Sequence, residues 1–207
     1  MLIETTVASF LLICLGCFFS VNLYSVLEGQ KRRNVKAYAK TERPSGSIIG
    51  LAAVGAICYF LEVLLYIPLI FTGVVPVLWN TPFFFQFWFI SHLQILGFIF
   101  NIIGYSLFIW SVVTRGMYAV SWEMPKSQRL VTSGPYCYVR HPSYLGYFFM
   151  FTGLFFLWPN LFTLFPLIAI PGYYRITFEE EKLLLQRFGD EYVRYQRKTG
   201  RFIPKFR

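Results

Sequence analysis

Five stretches almost free of charge constrain this chain more than any other feature: residues 5–27, 47–71, 88–113, 143–158 and 161–174. About 20 apolar residues, at 1.5 Å per helical residue, are enough to cross roughly 30 Å of hydrocarbon. A chain that is 56% hydrophobic, 21% aromatic and only 14% charged has too much apolar surface for water to solvate. The expected fold is therefore all-α: a polytopic helical membrane protein with about five transmembrane helices and a cytosolic C-terminal amphipathic helix. The last two stretches are short for spans, and only Pro159 and Asn160 separate them, which implies a helical hairpin with local bilayer adjustment. The N-terminal run carries Glu4 rather than a basic leader, and no small-residue cleavage site follows it. It is read as a retained span rather than a signal peptide.

The cations give the topology. Six of the nineteen Lys and Arg residues fall in residues 28–44, four in 114–142 and nine in 175–207, and none lies in an apolar stretch. Alternation then puts all three basic segments on one side, with the N-terminus outside and the C-terminus in the cytosol. Residues 83–89, dense in Phe and Trp, suit an outer aromatic belt. The net charge of +9 forms no soluble basic domain, so membrane lipids rather than nucleic acid are the expected partners. Cys14 and Cys17 sit in an apolar run without nearby His or acid. They are read as packing thiols, with no zinc or other metal and no disulfide. The chain is expected to be one domain over 1–207, with three N-terminal spans in 1–113 and a loop, hairpin and tail in 114–207.

Two groups of residues could carry chemistry. Arg140 and His141 end the second polar loop, and Pro142 disfavours helical geometry at His141 while suiting the first turn of a following helix. A guanidinium and an imidazole beside free helix N–H groups would welcome an anion; anchoring of the helix at lipid headgroups is the plainer alternative. Gly134-Pro135 upstream is a turn that lets backbone approach a ligand closely. The second group is Arg175 with Glu179, Glu180 and Glu181. Arg175 and Glu179 would share a helical face and could pair weakly, but three successive acids repel unless one or two meet a cation. Cations and acids on one side of the membrane suit a zwitterion such as S-adenosylmethionine, whose sulfonium favours aromatic faces like those of Tyr136, Tyr138 and Tyr144. No Gly-x-Gly-x-x-Gly follows a strand, so a soluble nucleotide fold is not offered. In the tail, Leu184, Phe188, Tyr192 and Tyr195 fall on one helical face that needs a partner, and Gly189 should weaken or bend the helix.

In order along the chain, residues 130–136 (LVTSGPY), residues 140–144 (RHPSY), Arg175 with Glu179 and Glu180, and residues 188–192 (FGDEY) followed by Tyr195 resemble the C-terminal half of the isoprenylcysteine carboxyl methyltransferase family. The resemblance covers about residues 120–205. It implies S-adenosylmethionine as cofactor, held by Gln128, Arg129, Leu130, Val131, Tyr136, His141, Pro142, Ser143, Tyr144 and a Glu pair. Arg175 would face the substrate carboxylate, and Arg140 would orient charged groups. Counting forward from Arg175 selects Glu179 and Glu180 as the pair; counting back from Phe188 selects Glu180 and Glu181. Glu180 belongs to both. The implied reaction is methyl transfer to a lipophilic acceptor, carboxyl O-methylation of an isoprenylcysteine-like, prenylated substrate. A phospholipid N-methyltransferase, a sterol-reductase-like enzyme and a non-catalytic membrane adaptor are the competing readings. Glu62, the one acid inside a span, is a candidate for function by its position, whereas His92 and the tail cations Arg194, Arg197, Lys198 and Arg201 are read as packing or solvated surface.

Overall fold

A computed structural model describes residues 4–33, 38–40, 46–118, 123–125 and 129–205. Three helices are long and apolar enough to cross a membrane: α1 (Glu4–Arg33), apolar over Glu4–Leu27, α2 (Gly46–Phe71), and α4 (Ile90–Arg115). Between the last two, the single-turn α3 (Val75–Leu78) follows Gly73 and carries Pro76 in its first turn. Helix α5 (Pro142–Leu157) is apolar but only 16 residues long, about 24 Å, less than the hydrocarbon thickness.

The fifth expected span takes a different form. The apolar residues 161–174 do not make a separate helix; they run through two 3-10 turns (Phe162–Leu164 and Pro166–Ile168) into α6 (Ala169–Phe188). Pro166 heads the second turn and Pro171 falls in the first turn of α6, where a missing N–H costs no helical hydrogen bond. Helix α6 therefore carries apolar residues at one end and the three acids at the other. Gly189, at φ 52° and ψ −125°, ends it and turns the chain into α7 (Asp190–Lys198), so the tail is two helices rather than one.

Helices α4 and α5 pack along their length because glycines face each other. A Cβ on Gly104 would lie 2.8 Å from the carbonyl oxygen of Gly146, and one on Gly97 would lie 2.7 Å from that of Gly153. The same device joins α2 to α6, where Gly172 meets Ala52 and Gly55 meets Ala169. Lipid tails supply little hydrophobic drive between helices, so close backbone approach and buried hydrogen bonds must hold such contacts. In the core, Tyr59 donates to Tyr105 at 2.9 Å, and Asn101, fully enclosed, donates to Gly97 O at 2.8 Å. Glu62 is half-buried, with one carboxylate oxygen enclosed and without a partner among the described residues; His92 is exposed.

The two ends of the bundle are tied differently. At one end the α5–α6 turn is capped by Asn160, which accepts from Phe162 N at 2.8 Å, and Phe85 N donates to Pro159 O at 2.9 Å. Phe84 is turned inward there against Trp79 and Trp158, while Trp88 is exposed. At the other end β1 (Tyr38–Lys40) and β2 (Glu123–Pro125) pair antiparallel, with Ala39 opposite Met124. That ribbon joins the two basic loops, which must therefore lie on the same side. No group of His, Cys, Asp or Glu that could hold a metal occurs among the described residues.

Candidate active site

The cleft lies at the basic end, where the loop before α5, the acidic end of α6, α7 and the last turn of α4 converge. Its walls are Arg115, Tyr118, Arg129, Leu130, Val131, Tyr136, Arg140, His141, Ser143, Tyr144, Glu180, Leu184, Tyr192 and Tyr195. Pro142 opens α5 and is buried, and His141 before it is non-helical at φ −124° and ψ 59°. The 3-10 turn at Gly134–Cys137 depends on Gly134 at φ 57°; a Cβ there would lie 2.7 Å from the Thr114 hydroxyl. The close approach that this glycine allows is thus to the end of α4.

Both ring nitrogens of His141 face carboxylates: Nδ1 lies 3.4 Å from Glu180 Oε2 and Nε2 lies 3.2 Å from Glu181 Oε1. Burial disfavours the imidazolium, but the hydrogen bonds to Glu180 and Glu181 outweigh it and raise the His141 pKa above its ordinary 6.5. Glu181 also accepts from Arg140 Nε at 2.9 Å and from Arg201 Nε at 3.0 Å, while its other oxygen accepts from Arg201 Nη2 at 2.8 Å and Gln196 Nε2 at 3.3 Å. Burial of Glu181 opposes ionisation, yet bonds from His141, Arg201 and Arg140 hold its carboxyl far below the usual range.

Glu180 has a different setting. Its Oε1 accepts from the Tyr144 hydroxyl at 2.5 Å, and it lines the cleft. The inward acids are accordingly Glu180 and Glu181, both buried, whereas Glu179 and Arg175 are exposed on α6 and outside the cleft wall. Helical periodicity explains this, since four residues separate Arg175 from Glu179 and return the chain to the same face. No ion pair joins those two among the described residues. Tyr138 is 58% exposed and also lies outside the cleft, and Gln128 falls outside the described residues.

The tail contributes more than solvated charge. Arg140 N donates to Gly200 O at 2.9 Å and His141 N to Arg201 O at 3.2 Å, so residues 199–201 lie beside the Arg-His-Pro motif. Arg140 Nη1 donates to Thr199 O at 2.5 Å, and the Arg201 guanidinium sits 3.8 Å above the Phe178 ring. Arg201 is thus part of a buried ion network, contrary to its reading as surface; Arg194, Arg197 and Lys198 are exposed. Tyr195 donates to Tyr136 O at 2.6 Å. The Tyr192 hydroxyl is enclosed in the cleft wall with no partner among the described residues. Tyr192 and Tyr195 were visible in the sequence as part of a motif and, with Leu184, of an unpartnered stripe, without a place in the site, and Arg115 only as one loop cation.

From the cleft, aromatic rings continue toward the apolar core. Tyr144 and Tyr147 both pack on Tyr173, at 5.0 and 5.1 Å between centroids, and Tyr147 stacks on Phe151 at 5.6 Å.

Residues 92–191 match the family described as phospholipid methyltransferase. Protein-S-isoprenylcysteine O-methyltransferase of Xenopus laevis is 32% identical over 120 residues, 56% of this chain and 42% of that protein. The protein of the same name in Homo sapiens is 29% identical over the same shares, and the one in Schizosaccharomyces pombe is 33% identical over 87 residues, 41% of this chain and 37% of its own length. The chain thus spans less than half the length of these relatives. A solved structure of the eukaryotic intramembrane Ras methyltransferase, isoprenylcysteine carboxyl methyltransferase, covers 78% of this chain and 54% of its own, at 25% identity and a TM-score of 0.49.

Proposed function

We infer that this chain, whose residues 92–191 match the phospholipid methyltransferase family and which is similar to protein-S-isoprenylcysteine O-methyltransferases, methylates the carboxylate of a prenylated cysteine with S-adenosylmethionine as donor. The observation that carries the reading is the polarity of the cleft. One buried acid, Glu180, and one enclosed phenol without a partner among the described residues, Tyr192, face a space walled by cations and apolar side chains, at the head of a tyrosine column that leads into the membrane. Glu180 would take the cofactor ammonium, Tyr192 a ribose or adenine polar atom, and the Tyr136 and Tyr144 rings the sulfonium. Arg129, Leu130, Val131, His141 and Ser143 complete that wall, with Pro142 between the last two. When bound, the cofactor supplies an electrophilic methyl: an oxygen–carbon bond forms to the acceptor as the carbon–sulfur bond breaks, the electron pair returns to sulfur, and S-adenosylhomocysteine and a methyl ester result.

The residues themselves orient and exclude water; a carboxylate is ionised at neutral pH and needs no general base. His141 is held between Glu180 and Glu181, which favour its protonated form. Arg140 is committed to Glu181 and the tail carbonyls, so it acts by shaping the loop. The cleft would face the cytosol, with the N-terminus on the other side.

Purified protein should transfer label from S-adenosylmethionine to S-farnesylcysteine as a base-labile ester. The match to the phospholipid methyltransferase description makes phosphatidylethanolamine the competing acceptor. Label that enters only that lipid would replace this proposal with N-methylation.

A further inference from the structure

The last turn of α4 brings a cation to the cleft that neither the motif nor the resemblance marked. Arg115 is half-buried and lines the same wall as Tyr136 and Tyr144. No carboxylate pairs with it among the described side chains. The cations deeper in the cluster are all matched: Arg140 and Arg201 with Glu181, and His141 with both acids. A half-buried guanidinium that faces a cleft is a ready partner for an anion, and phenol hydroxyls neutralise nothing.

The charge of Arg115 acts on the hydroxyls of Tyr136, Tyr144 and Tyr147. Tyr147 lies one turn further into apolar α5 than Tyr144 and packs on Phe108 of α4 at 5.0 Å and on Tyr173 at 5.1 Å. Arg115 thus lines the cleft wall beside Tyr136 and Tyr144, next to the aromatic column that begins at Tyr144. An acceptor whose apolar chain lies in that column would bring its charged end here.

We propose that Arg115 binds the carboxylate of the methyl acceptor and sets the choice of a carboxylate over an uncharged head. The proposal rests on the function inferred above. The planar guanidinium presents two parallel N–H donors to a carboxylate, and each oxygen so held keeps a second lone pair for the methyl carbon. Arg175, to which the resemblance gives this role, is exposed outside the cleft wall. The other carboxylate available to Arg115 is that of the cofactor's amino-acid end, and the two sources separate by experiment.

Wild type, Arg115→Gln, Arg115→Lys and Arg175→Gln would be compared in detergent as full chains. S-farnesylcysteine and its carboxamide would be competed at the site, and S-adenosylhomocysteine binding measured by calorimetry. In Arg115→Gln, kcat/KM for S-farnesylcysteine should fall about 10- to 100-fold, the loss of a charge-assisted pair, with S-adenosylhomocysteine affinity kept within about two-fold. The preference for acid over carboxamide should collapse toward one; a merely structural defect would weaken both alike. Lys should restore part of the preference, and Arg175→Gln should reduce it less than Arg115→Gln. An unchanged preference in Arg115→Gln, or a loss of S-adenosylhomocysteine affinity with acceptor KM intact, overturns the proposal. Wild type that methylates no prenylcysteine would instead overturn the function on which it rests, so the two failures are distinct.

Discussion

Glu181 accepts from three cationic side chains and a glutamine while it is only 6% exposed. Removing one partner from such a cluster leaves uncompensated buried charge, at a cost of about 3–5 kcal/mol. Glu181→Gln should therefore lower the thermal midpoint sharply in detergent, whereas Glu179→Gln, on the exposed face, should leave it unchanged. The same cluster gives a pH dependence. His141 has its pKa raised, so its contribution is complete below about 6.5 and fades as pH rises through the folded-state value. Glu181 has its pKa lowered, so its contribution is complete above about 4.5 and fails only as pH falls through a much lower value. Wild type should be most stable between those limits and lose stability on the alkaline side. His141→Asn should flatten that alkaline decline in a melting series from pH 5 to 9. The motif and the Glu cluster were legible as two halves of one site, but the register of the acids was not, because motif counting from either flank gives a consistent answer. Helical phase turns residues 180 and 181 inward while 175 and 179 share the outer face. Arg201 could not be assigned from its neighbours, because its partner lies 20 residues away across the break at Gly189.

At the level of elements, apolar length located α1, α2 and α4 to within a few residues, since nothing competes with a long charge-free run. It failed for residues 161–174, where the prolines and the Asn160 cap favour 3-10 turns and the acids simply continue the helix. Contact between helices was not legible either, because a glycine reads the same whether it faces lipid or another backbone. Gly104→Ala puts a methyl 2.8 Å from the Gly146 carbonyl oxygen and should destabilise by about 1–3 kcal/mol. Gly50→Ala on α2 meets nothing within 4 Å and should be neutral or slightly stabilising. Thermal unfolding of the two variants side by side gives the comparison. Gly189 is a different case: φ 52° with ψ −125° is almost closed to other residues. Gly189→Ala should therefore misdirect α7 and weaken S-adenosylhomocysteine binding, since Tyr192 and Tyr195 ride on that helix.

Across the whole molecule, the paired basic loops, the ion network and the tail gather at one end, and the aromatic turn at Asn160 closes the other. Cys137 is exposed at the basic end, so a membrane-impermeant maleimide should label it in inside-out vesicles and not in sealed right-side-out ones if that end faces the cytosol. This polarity was legible because every Lys and Arg lies outside the apolar runs; the return of the tail to residues 138–141 was not, since it rests on backbone hydrogen bonds that no side-chain pattern reports. That return has a consequence for biosynthesis. The Arg-His-Pro loop is made some 60 residues before its supports at Gln196, Thr199, Gly200 and Arg201. A chain that ends before Thr199 should therefore carry this loop without those supports, and limited proteolysis should cut it there faster than in the full chain.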